Sequence, residues 1–183
     1  MESLGGVGYL ENEDSQHINV ARLYRDANVL SIWEGTTNVL GTDFVRTFKG
    51  QNGEKTLKAL RAWLNHALFS ASPQNNTGLG VVKSRILGSF QAIESEIAGS
   101  QLEELIVRAR ELMDTFAAIV IGALMIADVE RDGDPVSAEV FKRFAKTRGF
   151  GEPYEGDWVT QTVWDSKIVF GEATEKAILK PRM

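Results

Sequence analysis

Apolar residues recur at helical spacing along most of this chain. Positions three and four residues apart share one face of a helix, so each such stripe predicts a helix with one buried side. The main stripes are Val20, Leu23, Tyr24 and Ala27; Leu40, Phe44, Val45 and Phe48; Leu57, Leu60, Leu64, Ala67 and Leu68; Val82, Ile86, Phe90, Ile93 and Ile97; and Leu102, Leu105, Ala109, Leu112, Phe116, Ile119 and Leu124. Stripes of this kind are typical of a helical bundle core.

Helix-capping residues predict several of the boundaries. Thr36 or Thr37 suits the N-cap of one helix, and Ser100 with Glu103 forms a capping box before the longest predicted helix. Asp134 followed by Pro135 opens another helix. A last helix is predicted from Trp158 to about Lys176. The pattern therefore predicts an all-α fold of about seven helices.

Composition limits the chemistry that the chain can perform. Its 183 residues, 43% of them hydrophobic, suit one domain, and the net charge of −5 lacks the broad basic character of nucleic-acid binding proteins. There is no cysteine and there are two histidines, so we expect neither a disulfide framework nor a metal site. An intracellular, cytoplasmic protein is expected, with mitochondrial and peroxisomal locations left open.

Neither a membrane span nor a targeting segment is predicted. The longest apolar run, 116–127, is shorter than the ~20 residues that a transmembrane helix needs, so it predicts a buried helix. The opening residues, MESLGGVG, lack the basic and apolar regions of a signal peptide.

One carboxylate stands out in the stretch from Ala21 to Leu40. Glu34 lies between the bulky pair Ile32-Trp33 and a Gly35-Thr36-Thr37 turn that can open a helix. A carboxylate held against an aromatic ring is a candidate general base. The helix dipole alone also favours a negative charge there, by ~0.3–1 kcal/mol, which leaves a purely structural role open.

The glycines near the start also have two interpretations. Gly5, Gly6 and Gly8 can let a ligand approach the backbone closely. They can equally form a helix C-cap and turn with no ligand at all.

Three motifs in order carry a family resemblance: Gly5-Gly6-Val7-Gly8-Tyr9, Arg22-Leu23-Tyr24-Arg25-Asp26-Ala27 and Trp33-Glu34-Gly35-Thr36-Thr37-Asn38. In this order and spacing the chain resembles the C-terminal helical domain of the acyl-CoA dehydrogenase family. Trp33, where Tyr is commoner, and the long helical tail make it most similar to the AidB-like (alkylation-response) branch. The motifs cover about the first quarter of the chain.

The resemblance implies a site for FAD and an acyl-CoA substrate. By analogy, Glu34 would remove the α-proton of the thioester, and Gly35 would let the substrate approach the backbone. FAD would be contacted by two groups of residues. Thr36, Thr37 and Asn38 would contact FAD, and Leu4, Gly5 and Gly6 would contact the FAD that a neighbouring subunit holds. Glu2 stands where the family usually has Gln, and its charge would be repelled by a pyrophosphate.

The resemblance also implies that more polypeptide is needed for activity. It divides the chain into an acyl-CoA dehydrogenase-like region, 1–71, and an AidB-like helical extension, 72–183, separated by a turn-rich segment. The family's N-terminal helical domain and middle β domain are not recognisable here. We therefore expect a homo-oligomer or a partner subunit that supplies the missing parts, and no dehydrogenase turnover by this chain alone.

The alternative is a non-catalytic helical module that binds proteins or DNA. The AidB-like branch is associated with duplex DNA, and basic residues cluster late in the chain at Lys142, Arg143, Lys146 and Arg148. A basic cluster in an acidic chain is more often a solvated face, so DNA binding is the weaker expectation.

Overall fold

All regular structure in the described part of the chain is helical, as expected. The computed structural model describes residues 2–10, 19–33, 35–70, 79–152 and 156–171. A 3-10 helix, Glu2–Tyr9, is followed by α1 Val20–Val29, α2 Thr37–Lys49, α3 Gly53–Phe69, α4 Gly80–Gly99, α5 Leu102–Val107, α6 Ala109–Asp132, α7 Pro135–Thr147 and α8 Trp158–Phe170. The prediction of an all-α fold is confirmed, with eight α-helices in these ranges instead of about seven.

Helix α6 is the centre of the bundle. It packs against α2, α3, α4 and α7, and its inner face contributes Ile119, Ala123 and Ile126, each at most 1% exposed. By length and composition α6 could cross a membrane, and 39% of its most apolar 18-residue window is buried. Its inner face lies among four helices, whereas Ile121 and Leu124 are 43% and 54% exposed.

The long helix predicted from Leu102 onwards is interrupted at Arg108. That residue lies between α5 and α6 with φ −102° and ψ 8°, and its guanidinium pairs with Glu96 and Glu111. The predicted capping box is also shifted by one residue. Glu104 Oε2 accepts a hydrogen bond from the backbone N–H of Gln101 at 2.8 Å, so Gln101 is the N-cap instead of Ser100.

Two other predicted helix ends can be compared with the structure. Asp134 caps α7 as expected, accepting a hydrogen bond from the Ser137 N–H at 2.8 Å. Helix α8 ends at Phe170, earlier than the predicted Lys176, because Gly171 takes a φ of +74° that a continuing helix cannot use. Residues 172–183 lie outside the described part of the chain.

Helix α2 is anchored tightly to α6. Gly41 is buried, and a Cβ at this position would lie 3.2 Å from the Cβ of Ala109. Val45 and Phe48 are also buried, and Phe44, Phe48 and Phe116 form a ring cluster with centroids 4.9–5.9 Å apart. The later turns of α2 are therefore well packed, and they hold its first turn in place.

Helix α1 has a different environment. Its principal packing partner is the 3-10 helix, and every residue from Arg22 to Trp33 is exposed. Leu23 and Tyr24, on the face that its sequence pattern predicts to be apolar, are 54% and 58% exposed. The amphipathic helix is present, but the bundle does not bury its apolar face.

The division of the chain into a family-like region, 1–71, and a helical extension, 72–183, stays a prediction. The turn-rich segment that motivated it falls largely in 71–78, outside the described residues. Helices on both sides of it share one core, since α2 and α3 both pack against α6.

Candidate functional site

The residues after Glu34 form the first turn of α2. Gly35 has a φ of +116°, and a Cβ there would lie 3.1 Å from Val39 Cγ1, so a side chain would be strained and crowded. Thr36 is the N-cap with extended backbone, φ −66° and ψ 161°. The backbone bends sharply at Gly35 and enters the helix at Thr37.

Among the described residues, the N-cap side chain leaves the backbone donors in the first turn of α2 uncapped. The Thr36 hydroxyl makes no capping hydrogen bond, and the first turn contains no acidic residue. The first N–H groups of any helix lack an intrahelical acceptor, and together they attract anions. Thr36 and Asn38 are exposed and Thr37 is half-buried, so an acidic ligand group can reach this turn.

Glu34 itself lies outside the described residues, so its role as a base stays a prediction. Its neighbours can be described. Trp33 has a 68% exposed side chain, and its backbone N–H donates to the Val29 carbonyl at 2.8 Å. The backbone N–H of Gly35 donates to the Ile32 carbonyl at 3.3 Å. The backbone on both sides of Glu34 is therefore held by hydrogen bonds.

The glycine segment lies in the 3-10 helix. Gly5 breaks this helix with φ 59° and ψ −145°. A Cβ at Gly5 or Gly6 would meet nothing within 4 Å, and both residues are exposed, so nothing in the described chain crowds them. The side chain of Leu4 is not among the described ones.

The predicted site has two parts, the glycine segment near residue 5 and the start of α2, and the structure does not bring these two parts together. Gly35, Thr36, Thr37 and Asn38 lie side by side at the start of α2. Gly5 and Gly6 belong to the 3-10 helix, which packs against α1 and makes at most marginal contact with α2. That the glycine segment serves a neighbouring subunit stays a prediction.

Exposed apolar residues lie close in sequence to both segments, and the apolar pattern did not predict their exposure. Tyr9, Leu10, Leu23, Tyr24, Leu30, Ile32, Trp33 and Val39 are between 51% and 72% exposed. We call these the N-terminal apolar residues. Large exposed apolar groups concentrated in one segment mark interaction sites. The resemblance was the signal that could have predicted them, because it implied missing domains.

The basic cluster on α7 is largely paired with carboxylates. Arg143 Nε donates to Glu139 Oε1 at 3.0 Å and its Nη1 pairs with Asp165, which together raise the pKa of the Arg143 guanidinium. Lys142 lies 3.9 Å from Glu139, and Arg148 pairs with Asp114 at 3.0 Å. Three carboxylates thus offset most of the charge of this cluster.

A polar cleft lies beside the same cluster. It has a volume of about 240 Å³ and is lined by Arg143, Lys146, Thr147 and Gln161. Gln161 Nε2 already donates to the Gly156 carbonyl at 2.7 Å and the Thr147 hydroxyl to the Arg143 carbonyl at 2.9 Å. Among the described residues, no cluster of three or more His, Asp or Glu side chains could hold a metal ion.

Comparison with known proteins identifies the class. The family profile described as "Acyl-CoA dehydrogenase, C-terminal domain" matches residues 1–48, the segment that contains the 3-10 helix, α1 and most of α2. Residues 1–48 therefore carry a C-terminal domain of the acyl-CoA dehydrogenase family, and the expected resemblance is confirmed.

Two relatives carry the same family name. Acyl-CoA dehydrogenase family member 11 of Caenorhabditis elegans is 32% identical over 141 residues, covering 69% of this chain and 20% of that protein. The AidB protein of Escherichia coli (strain K12), also named as an acyl-CoA dehydrogenase, is 43% identical over 53 residues, covering 29% of this chain and 9% of that protein. The chain thus spans a fifth or less of these relatives' lengths. No solved structure matches the chain.

Proposed function

We propose that this chain is the C-terminal helical part of an FAD-dependent acyl-CoA dehydrogenase-like oxidoreductase, active only with further polypeptide. The observation that carries this proposal is the family match over residues 1–48, which contain the candidate site. The exposed N-terminal apolar residues support it, because they lie in the same segment and need a covering partner.

In this proposal Glu34 is the base that takes the α-proton of an acyl-CoA thioester. That proton is weakly acidic, so its removal requires a site that excludes water. Trp33 and Ile32 are bulky side chains beside Glu34 that can exclude water once a partner covers them. FAD, when bound, supplies the acceptor for the hydride that leaves the β-carbon.

The start of α2 fits the binding of a flavin phosphate or carbonyl oxygen. Its first N–H groups, which the Thr36 hydroxyl does not cap, and the hydroxyls of Thr36 and Thr37 are donors, and Gly35 allows close approach. Gly5 and Gly6 are open enough to approach a second flavin region on a neighbouring subunit.

DNA binding remains the alternative function, and the pairing of its basic residues disfavours it. Arg143 and Arg148 each already bind a carboxylate, so contacts to phosphate would have to break those ion pairs. Salt-sensitive duplex binding that is lost when Lys142, Arg143 and Lys146 are neutralised would favour this alternative.

The test is flavin reduction in a reconstituted assembly. The chain is mixed with FAD and with the polypeptide encoded upstream in a longer relative, and the flavin absorbance is followed after addition of butyryl-CoA or palmitoyl-CoA. We expect bound flavin that bleaches with substrate. Glu34→Gln should retain flavin but bleach about 10²–10⁴-fold more slowly.

Glu54→Gln is the matched control, because this glutamate lies on the surface of α3 and pairs only with Lys58 among the described residues. It should bleach like the unchanged chain. Failure to retain flavin under every condition would contradict the proposed site. Equal bleaching by Glu34→Gln would contradict the role of the base.

A further inference from the structure

The turn between α2 and α3 contains a pair of residues that can react with each other. Asn52 is the only asparagine in the sequence that is followed by glycine. In such a pair the backbone nitrogen of the glycine can attack the side-chain carbonyl carbon of the asparagine, because glycine has no side chain to hinder the approach. Asn52 is exposed to water, whereas Gly53 is buried.

Packing requires a glycine at the second position of this pair. A Cβ at Gly53 would lie 1.8 Å from the carbonyl oxygen of Phe48 and 2.5 Å from its carbonyl carbon, so any other residue would clash with the backbone of α2. A bulkier residue after Asn52, which would hinder the attack, is therefore excluded by the fold. The Asn52 side chain makes no capping hydrogen bond to α3, although Asn52 is its N-cap.

The conformation of the folded turn opposes the attack. Asn52 has a φ of −102° and a ψ of 6°, so the Gly53 nitrogen eclipses the Asn52 nitrogen and points away from the Asn52 Cβ. The Gly53 N–H donates to the Gly50 carbonyl at 2.9 Å. The Asn52 carbonyl accepts from the backbone N–H and from the hydroxyl of Thr56, each at 3.0 Å. Rotation of ψ towards ring closure must break these hydrogen bonds, which hold the first turn of α3.

We infer that Asn52-Gly53 is a deamidation site whose reaction is controlled by local opening of the first turn of α3. In the opened turn, the Gly53 nitrogen loses its proton to a solvent base and bonds to Asn52 Cγ. The bond from Cγ to the side-chain nitrogen breaks, and that nitrogen takes up a proton and leaves as ammonia. Water then opens the cyclic imide at either carbonyl, which leaves aspartate or isoaspartate at position 52. The reaction consumes one water molecule, and it does not depend on the proposed function.

The two products should affect the turn differently. Aspartate at the N-cap keeps a side-chain acceptor and adds a negative charge, which the start of a helix favours. Isoaspartate adds one methylene group to the main chain immediately before Gly53, at the point where α3 meets the Phe48 carbonyl. The isoaspartyl form should therefore unfold at a lower urea concentration than the unmodified chain.

The test compares the conversion of Asn52 in the folded full-length chain and in the same chain unfolded in urea, at one pH and temperature. Samples are digested with trypsin, and the peptide 50–55 is identified by mass spectrometry. We expect conversion at least ~10-fold faster in urea, because opening of the folded turn costs free energy. Asn52→Gln should show no conversion in either state. Equal rates in the two states, no conversion in urea, or conversion that persists in Asn52→Gln would overturn the inference.

A matched pair of variants tests whether the opening is local. Phe48→Leu loosens the end of α2, against which Gly53 packs, whereas Phe90→Leu makes the same change in α4, and both phenylalanines are buried in one core. In the folded chain, Phe48→Leu should raise the rate of conversion about 3- to 10-fold and Phe90→Leu less than about 2-fold. Equal acceleration by the two variants would contradict local control, because global unfolding would then limit the reaction.

Discussion

Gly53 shows how one absent side chain determines where two helices meet. It is the first residue of α3, and a Cβ there would lie 1.8 Å from the carbonyl oxygen of Phe48 at the end of α2. Because the clash involves backbone atoms, Gly53→Ala must displace one helix, at a cost of about 2–4 kcal/mol in unfolding free energy. Urea denaturation measures this.

Gly88→Ala is the matched control for that prediction. It replaces a glycine inside α4 where a Cβ would meet nothing within 4 Å. This change should stabilise the chain by about 0.5–1 kcal/mol, since alanine loses less conformational entropy in a helix. Equal losses in the two variants would argue against the close contact at Gly53.

The charge of Asp134 should make the stability of the folded chain depend on pH in a definite direction. The backbone N–H and the hydroxyl of Ser137 hold the pKa of the Asp134 carboxyl below its usual range. The stabilisation is therefore complete above the ordinary aspartate pKa of about 3.9, and it is lost as the pH falls through the lower pKa of the folded state.

The comparison with Asp134→Asn isolates this effect. Asparagine keeps an acceptor for capping but carries no charge at any pH. The melting temperature of the unchanged chain should exceed that of the variant at neutral pH, and the difference should shrink below about pH 4. A difference that stays constant down to about pH 2 would contradict the assigned cause.

At the scale of elements, the crossing of α2 over α6 depends on Gly41. The 3.2 Å gap between a Cβ at Gly41 and the Cβ of Ala109 leaves no room for a larger side chain. We expect Gly41→Leu to cost about 1–3 kcal/mol through overpacking. Asp43→Leu, on the exposed side of the same helix, should cost much less, and thermal denaturation distinguishes the two.

The sequence predicted the elements that pack inside the bundle better than those that do not. The stripe from Leu57 to Leu68 corresponds to α3, and the stripe from Val82 to Ile97 corresponds to α4. The break at Arg108 was missed because Leu105, Ala109 and Leu112 keep helical spacing across it. Periodicity reports which residues share a face and does not report a local kink.

Helix α1 illustrates a different limit. Its pattern of Leu23 and Tyr24 predicted an apolar face correctly, but a pattern does not identify what covers that face. For the candidate site, the sequence predicted Thr36 at the helix start, but its pattern does not show that Trp33 and Leu30 are exposed in the folded chain.

For the whole molecule, one shared core predicts one cooperative unfolding unit. Leu64 of α3 and Phe141 of α7 lie on opposite sides of residue 71, and they are 1% and 2% exposed in the same apolar cluster. Leu64→Ala should cost about 2–5 kcal/mol. In hydrogen-exchange mass spectrometry, the free energy of exchange of the slowest amides should fall by the same amount in α3 and in α7.

A matched variant on the surface separates this global effect from a local one. Trp63→Ala removes the partly exposed neighbour of Leu64 and should lower protection much less. If Leu64→Ala weakens α3 alone and leaves α7 unchanged, the two sides of residue 71 unfold independently.

The exposure of Trp33 has an optical consequence. An indole that is 68% exposed emits at long wavelength, and its emission moves to shorter wavelength when an apolar partner covers it. A flavin ring brought close to it would accept its excitation energy and quench it. In a variant whose other three tryptophans are replaced by phenylalanine, the fluorescence of Trp33 would report when the segment next to Glu34 becomes covered.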